Sequence, residues 1–469
     1  MREYLQKIKE TGITPELIAK MIEAHKEENA KRYSFYGRYK TAIEGVPILQ
    51  REPTEYEDFE TGAIKRIDNK VNNKLNNAFD AEIVDTKIGY MLGHAITYEV
   101  DTGEPMEGEE EAPVPPLKLQ IDQFNLRNNV EDKDSEWGKK AAICGYGARL
   151  AYIDNEGAER VANLNPWECI ILSNEEITEP EYALRYYSIG DNKLRAEFYD
   201  DTHYHIYEQN GSGFTLVEKQ IHTFDYCPLW GLPNNEELMA DAEKVFALID
   251  AYDRTLSDAS NEIEQYRLAY LVMKGMGADE ETLNELKRTG ILQLFDDKED
   301  VSYLTKDVNN QMIEDHLNRL EENILRFAKS VNFSDESFGG NVTGVAMKYK
   351  LMSLENKCIT MERKMTSALR YQFKVLCSAW AKKGICAAED YLKVWFGFKR
   401  NLPANVLEEA QISASLNGQV SDETRLSLFS FVDDVRYELE RMKKEREEKV
   451  SGLQDNYKFP NQDDGDGSA

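Results

Sequence analysis

The sequence predicts an α+β fold, and three observations carry that expectation. Short segments of alternating apolar and polar residues crowd the middle of the chain, from Arg149 to Glu218. Helical periodicity flanks them on both sides. Between residues 310 and 382 a helix, a glycine-rich break and a longer helix follow one another.

The N-terminal region reads as helical. Thr14-Pro15-Glu16 supplies a capping hydroxyl, a proline at the first helical position and a first-turn acid. Lys31–Tyr39, polar and aromatic, reads as a connecting segment. A second helix is expected over Gly62–Leu92, where Ile64, Ile67, Val71, Leu75, Phe79 and Ile83 keep a three-to-four spacing. Gly93 ends it, and Ile96–Val100 reads as a strand. Residues 104–116 are acidic and proline-rich, the composition of a mobile loop. Leu117–Ile143 is helical again, broken by Gly145 and Gly147.

The alternating segments come next: Arg149–Ile153, Arg160–Leu164, Glu168–Leu172, Tyr182–Ser188, Lys193–Tyr199, Tyr204–Glu208 and Phe214–Glu218. Turn signals such as Asp154-Asn155-Glu156-Gly157 and Asn210-Gly211-Ser212-Gly213 separate them, the pattern of an antiparallel meander. After Pro233 the period changes. Ile249, Leu256, Ile263 and Tyr270 stand seven apart, with Tyr252, Ala259 and Tyr266 at the other heptad position. Residues 267–308 read as a small module: strand Leu268–Lys274, helix Glu280–Arg288, strand Ile291–Phe295 and strand Val301–Leu304.

Helicity returns at Asn310, where Ile313, Leu317, Leu320, Ile324, Phe327 and Val331 repeat at four and three. Such a helix is roughly 33 Å long. Residues 332–344 break it. Val345–Lys382 then has no proline or glycine, and unbroken it reaches about 57 Å. Its apolar set includes Ala346, Tyr349, Met352, Ile359, Leu369, Phe373, Leu376 and Trp380. A strand-like Tyr391–Lys399 follows, then helices near Val406–Leu416 and Asp433–Lys449, with Ser421-Asp422-Glu423 capping a short helix between them. The tail from Ser451 is polar and acidic, with too little apolar surface to order itself.

A chain of 469 residues, 41% of them hydrophobic, can bury a large core and hold three or more subregions. Its net charge of -29 argues against an ordinary nucleic-acid binder with a basic footprint. Six cysteines stand apart without a C-x-x-C pair, which fits reduced thiols better than a disulfide framework or a zinc site. The charged start Met1–Lys7 has no apolar stretch of a signal peptide, and no run approaches the ~20 apolar residues that cross a bilayer. The expectation is a soluble protein made in a cytoplasm, without a membrane partner.

Tests for chemistry come back empty. A phosphate loop of the Walker type needs Gly-Lys-Ser/Thr at the helix start, but Gly344 is followed by Val345-Ala346-Met347, and Lys348 comes one turn too late. Gly145-Tyr146-Gly147 precedes a strand, not a helix, so it fails as a dinucleotide site. His203 and His205 would share one strand face, which reads as a polar sheet face sooner than as a metal pair. Asp463–Asp466 lacks the rest of a calcium loop, and no nucleophile elbow is present. The expectation is no enzyme, no cofactor and no metal.

Several motifs in order and spacing carry a resemblance. They are Phe79–Gly93, Leu232-Pro233-Asn234-Asn235-Glu236, Ile249-Asp250-Ala251-Tyr252-Asp253, Ser257-Asp258 with Asn261-Glu262-Ile263, Thr343-Gly344-Val345-Ala346, and Leu416–Thr424. Over residues 69–448 the chain resembles the portal proteins of tailed double-stranded-DNA bacteriophages, of the siphovirus type found in Gram-positive hosts. The resemblance implies a portal fold: a wing of helices plus antiparallel sheet (40–233), a helical stem (234–266 and 309–331), a small α/β clip (267–308), a long spine helix (345–384) and a helical crown (385–450). Residues 1–39 would be an N-terminal helical segment and 451–469 a disordered tail.

It also implies a homo-oligomeric ring, a dodecamer, at one capsid vertex of the virion, assembled in the host cytoplasm. Double-stranded DNA would pass through its channel. Terminase, a head-completion adaptor, and the major capsid and scaffolding proteins would be its partners. Residues 332–344 become a tunnel loop facing DNA, with Phe333, Ser334, Asp335, Glu336, Asn341 and Thr343 as channel residues, and Lys348 and Lys350 as a positive ring beyond. In the clip, Lys274, Glu280, Glu281, Lys287, Arg288, Asp296 and Asp297 are the expected docking residues for terminase and adaptor. Two other readings remain beside this one: a phage head or neck assembly or scaffold protein without a DNA channel, and a DNA-processing hydrolase.

Overall fold

A computed structural model of the chain describes residues 2–53, 55–57, 64–66, 71–101, 114–190, 193–211, 213–266, 270–274, 300–304, 310–332, 344–402, 406–429, 431–432 and 435–456. Contacts divide the chain into two units, Met1–Asn401 and Leu402–Ala469.

Helix α1 (Arg2–Thr11) is followed by α2 (Pro15–Tyr39), whose N-cap Thr14 accepts the Leu17 N–H through its hydroxyl. The helix runs through Lys31–Tyr39, where a connecting segment was expected. The reason is burial of long side chains at helical spacing: Arg32, Phe35 and Arg38 all point inward, and the charged letters conceal apolar stems. Arg32 donates to the Leu238 carbonyl at 2.7 Å, and Arg38 reaches Asp80 at 3.1 Å.

Strands β1 (Glu55–Glu57) and β2 (Ile64–Arg66) pair as a hairpin. The expected helix over Gly62–Leu92 is therefore halved: α3 begins only at Phe79 and runs to Leu92. Residues 71–78 are irregular because side chains of a later helix take their backbone N–H groups, as described below. Strand β3 (Thr97–Val100) stands where the sequence placed it. The acidic stretch 104–113 lies outside the described residues. The helical run after it is two helices, α4 (Pro116–Asn128) and α5 (Val130–Cys144), joined at Asn129 with φ 51°, a left-handed turn that asparagine tolerates.

The meander is antiparallel as expected but splits into two sheets. Strands β4 (Tyr146–Ile153) and β5 (Glu159–Leu164) form one with β11 (Leu229–Pro233), in the order β11-β4-β5. Strands β6 (Cys169–Leu172), β7 (Tyr182–Ser188), β8 (Leu194–Tyr199), β9 (His203–Asn210) and β10 (Gly213–Ile221) form the other, each paired with the next. Strand β11 was not expected; it is buried along its whole length and so carries no alternation to detect.

Gly145 caps α5 at φ 86°, and a Cβ there would lie 2.0 Å from the Leu238 carbonyl oxygen. A Cβ on Gly147 would strike the Trp137 ring at 2.7 Å. The two glycines of the triplet thus make a helix-to-strand junction with no room for a Cβ at either position.

Period-two alternation builds one core on each face of the five-stranded sheet. Leu184, Tyr186, Phe198 and Tyr207 pack under Leu5, Ile8, Ile18, Met21 and Ile22 of the N-terminal helices. On the opposite face Ala183 and Tyr199 meet Tyr146, Ala148, Leu150, Cys227 and Leu229.

After β11 the chain is held irregularly to residue 242, where a helix had been expected from 234. Asn234 N–H donates to the Gly145 carbonyl at 2.9 Å, Asp241 N–H to the Ala142 carbonyl at 2.9 Å, and Met239 N–H to Asn235 Oδ1 at 2.8 Å. Helix α6 then spans Phe246–Tyr266. Strands β12 (Tyr270–Lys274) and β13 (Asp300–Leu304) pair antiparallel, as the inserted module requires, while its expected helix 280–288 and strand 291–295 lie outside the described residues.

Helix α7 (Asn310–Ala328) starts where expected but ends three residues short of 331, where Lys329 takes φ 55°, and the 39-residue α8 (Gly344–Lys382) matches the expected long helix. Strand β14 (Val394–Gly397) pairs with β3, so residues 385–401 fold with the first unit. The stretch 385–450, expected as one region, is therefore divided. In the second unit, α9 (Val406–Ser415) precedes α10 (Asp422–Leu426), whose N-cap Ser421 accepts the Thr424 N–H at 3.2 Å. Helix α11 (Val435–Asn456) runs further than expected, taking in the first residues of the tail; residues 457–469 lie outside the described set.

Candidate functional site

Helices α6 and α7 meet through Ile249, Ile324 and Ala328, which join Phe79, Ile83, Ala242 and Val245 in one core. Along α7 the expected stripe is buried unevenly: Leu320 and Ile324 are buried, Ile313 and Leu317 half-buried, and Phe327, beside the buried Ala328, is 56% exposed. Met312 is 64% exposed and Ile263 on α6 66% exposed. Both helices are acidic: α6 has five carboxylates against one arginine, and α7 four against two. Helix α8 is the reverse, with eight lysines and arginines against two glutamates.

Lys348 and Lys350 lie in the first two turns of α8, both exposed. Phe333, Ser334, Asp335, Glu336, Asn341 and Thr343 fall outside the described residues. So do Glu280, Glu281, Lys287, Arg288, Asp296 and Asp297. Lys274 ends β12, opposite Asp300.

The motif residues on α6 have a role that spacing alone did not reveal. Asp253, Ser257 and Asn261, four apart on one face, are buried. They accept the backbone N–H groups of Asn77 at 2.9 Å, Leu75 at 3.0 Å and Asn73 at 2.7 Å. Two residues of extended chain and four of helix advance by nearly equal distances, about 6–7 Å, so each rung stays in step. Arg51 pairs with Asp258 at 2.6 Å beside this ladder. Heptad positions predicted apolar contacts here; the buried face is a polar one that fastens residues 73–77. Burial raises the Asp253 carboxyl, and the two donors on Asn77 oppose that rise.

Two further motif residues, Lys87 and Asn234, join a buried ion cluster. Lys87 of α3 donates to Asn234 Oδ1 at 2.6 Å and lies 3.1 Å from Asp241. Lys357 of α8 lies 3.2 Å from the same carboxylate and donates to the Ala328 carbonyl at the end of α7 at 2.9 Å. Burial would raise the Asp241 carboxyl, but Lys357, Lys87 and Asn234 more than offset it and hold it below the ordinary carboxylate range. Burial lowers the Lys357 ammonium, with Asp241 opposing. One carboxylate thus joins α3, the 234–242 segment, α8 and the last turn of α7. Arg38 makes a parallel junction, 3.1 Å from Asp80 of α3 and 2.9 Å from Asp250 of α6. An apolar-spacing search passes over all of these, because the signal is a charged residue inside an otherwise buried run.

His203 and His205 do share a face, with ring centroids 6.1 Å apart. Both turn toward Asp200, at 3.9 and 3.5 Å. Among the described residues no group of three or more such side chains is placed to hold a metal ion. Burial pushes the Cys144 and Cys227 thiols up to about 12 and Cys358 up to about 11, which keeps them protonated and poor nucleophiles at neutral pH. Among the described residues no helix is long and apolar enough to cross a membrane.

Residues 19–452 match the family model described as phage portal protein, SPP1 Gp6-like. The portal protein of Bacillus phage SPP1 is 25% identical over 403 residues, covering 81% of this chain and 77% of the relative. The portal protein of Clostridium phage phiCD119 is 24% identical over 414 residues, covering 82% and 87%. Among solved structures, the neck of a native GTA particle computed with C12 symmetry aligns at a TM-score of 0.43 and 11% identity, over 76% of this chain and 90% of that one.

Proposed function

The chain belongs to the SPP1 Gp6-like phage portal protein family, and from that premise we propose that it forms a ring at one vertex of the capsid. The ring is the conduit through which double-stranded DNA is packaged and later ejected. It has no active site of its own; the work of ATP hydrolysis belongs to a separate terminase motor. The family match over residues 19–452 carries this reading.

In this reading α6 and α7 are the stem, and the module between them, 267–308, is the clip that receives terminase and then the head-completion adaptor. Major capsid and scaffolding proteins meet the outer part of the ring, and assembly takes place in the host cytoplasm. A dodecamer is the expected ring.

The electrostatics suit a conduit. A protein that neutralises many phosphates binds DNA tightly and in a salt-dependent way, which opposes sliding. The acidic α6 and α7 offer DNA no such grip. Asp335, Glu336 and Asn341 line the constriction with Phe333, Ser334 and Thr343, and Lys348 and Lys350 add a local positive ring.

Electron microscopy of the purified protein should show rings with a central hole, and a monomer with hydrolytic activity would refute the portal reading. Deleting 275–300 should spare rings and abolish DNA packaging; intact packaging would remove the clip assignment. Charge reversal at Asp335 and Glu336 should impair packaging or retention of DNA, and an unchanged phenotype would remove those residues from the channel.

A further inference from the structure

We propose that the outward face of α8 docks on the acidic flank of α7 in a second copy of this chain, with Arg363 and Arg370 of one copy meeting Glu314 and Glu321 of the next. The inference rests on the ring reading and adds to it the pair of surfaces that joins one subunit to another.

The charges of α8 divide into two sets. Lys357, Lys364, Lys374 and Lys382 are paired within the chain, to Asp241, Glu236, Glu179 and Asp225. Both glutamates of the helix, Glu355 and Glu362, are taken by Arg400. Arg363 and Arg370 are exposed, and among the described residues neither has a hydrogen bond or an ion pair. They stand opposite the face that buries Leu354, Cys358, Met361 and Met365, and about 220–240° round the helix from Lys357. Lys357 holds the end of α7 in the same chain, so the arginines turn away from their own α7. Tyr349 and Met352, 74% and 55% exposed, share their side of the helix and add apolar area to it.

The complement is on α7. Glu314 and Glu321 stand seven residues apart, as Arg363 and Arg370 do. Each pair spans about 10 Å along its helix, so two helices lying side by side bring both pairs into register at once. Glu314 is exposed and Glu321 half-buried, and among the described residues neither is in an ion pair. A net charge of -29 makes copies of the chain repel one another, so their contact needs cations where it meets carboxylates. Arginine is suited to this, because its planar fork can hold a carboxylate with two hydrogen bonds. The two surfaces lie on different sides of one chain, so the contact is head-to-tail and repeats from copy to copy round a ring.

The test counts rings of the full-length protein by mass photometry. Arg363→Glu with Arg370→Glu should lower the ring fraction more than about tenfold, because like charges then face one another across the contact. Glu314→Arg with Glu321→Arg should do the same, and Arg363→Gln with Arg370→Gln, which removes charge without adding repulsion, should lower it less. Each variant should keep the wild-type unfolding midpoint, since the changed positions are on the surface. Mixing the two charge-reversed variants in equal amounts should restore rings in which they alternate, each offering the surface that the other lacks. Wild-type rings together with undiminished rings in either variant, or with a mixture that stays as single subunits, would overturn this contact and leave the ring reading standing. A wild-type chain that forms no rings would remove both. Variant rings that stay intact but lose affinity for double-stranded DNA would assign the arginines to DNA instead.

Discussion

The last five turns of α8 and the paired helices α6 and α7 carry similar apolar stripes, yet they are used in opposite ways. From Tyr371 to Trp380 almost every residue of α8 is buried, including Gln372, Phe373, Cys377 and Trp380. Strands β4, β11 and β14 and helix α4 wrap that segment: Phe373 stacks on Phe396, Tyr371 meets Trp230, and Trp380 meets Phe124. Even the polar Gln372 is used, accepting from the buried Arg149 at 2.9 Å. Helices α6 and α7 instead share a small apolar base, α6 adds a buried polar face, and Ile263 and Phe327 stay exposed. An apolar side chain stabilises a subunit only through the area it removes from water. The first region is therefore about the stability of the chain, and the exposed residues of the second are available to something outside it, which in the proposed ring is a neighbouring subunit.

The largest effect should come from the enclosed end of α8. Trp380→Ala should cost about 3–5 kcal/mol, read as a lower unfolding midpoint in denaturant. Asp241→Ala should cost about as much, because it leaves the Lys87 and Lys357 ammoniums buried without their carboxylate. Lys357→Met, which leaves Lys87 paired, should cost less; equal losses would show that Lys87 alone does not compensate the buried carboxylate.

Acid should loosen the packing of α2 on the sheet. Burial lowers His25 to about 4 from an ordinary 6.5, and its Nδ1 lies 2.8 Å from the Tyr186 hydroxyl. The unfolded chain binds this proton first, so the contribution is intact above 6.5 and is lost as pH falls from 6.5 to about 4. The full swing is roughly 3 kcal/mol. His25→Gln should flatten that slope in a stability-versus-pH series, and an unchanged slope would assign it to other groups.

The ladder on α6 should give smaller changes. Ser257→Ala leaves the Leu75 N–H unpartnered and should cost about 1 kcal/mol. Asp253→Asn keeps the acceptor for Asn77 and should cost less than Asp253→Ala; the reverse order would mean that the charge, not the hydrogen bond, holds residues 73–77. The smallest effect on the subunit should come from Ile263→Ser with Phe327→Ser, within about 0.5 kcal/mol for each exposed site. Rings, counted by mass photometry, should nevertheless be depleted. A subunit destabilised as much as by Trp380→Ala would erase the contrast between the two regions.

Local physics made much of this legible beforehand. Thr14 and Ser421 cap the helices they were expected to cap, the turn signals separate the strands of the meander, and a glycine-free run became the long helix. Each of these is decided within a few residues, by a hydroxyl reaching an N–H or by a period that matches the backbone. The resemblance in ordered motifs likewise points to the family that the chain matches over residues 19–452.

Other features depended on partners far away along the chain. Residues 71–78 have helical spacing in their letters but are irregular, because Asp253, Ser257 and Asn261 compete for their N–H groups. Lys31–Tyr39 looks like a polar connector but is helix, because Arg32 and Arg38 find buried carbonyls and carboxylates on distant elements. The split of the meander into two sheets and the gathering of Lys87, Asp241 and Lys357 have the same origin. The sequence by itself determined where each segment begins, what its period is and which family it joins. Only the tertiary structure decided which polar groups are paired in the interior, since a buried N–H or ammonium is stable only beside an acceptor that the fold brings to it.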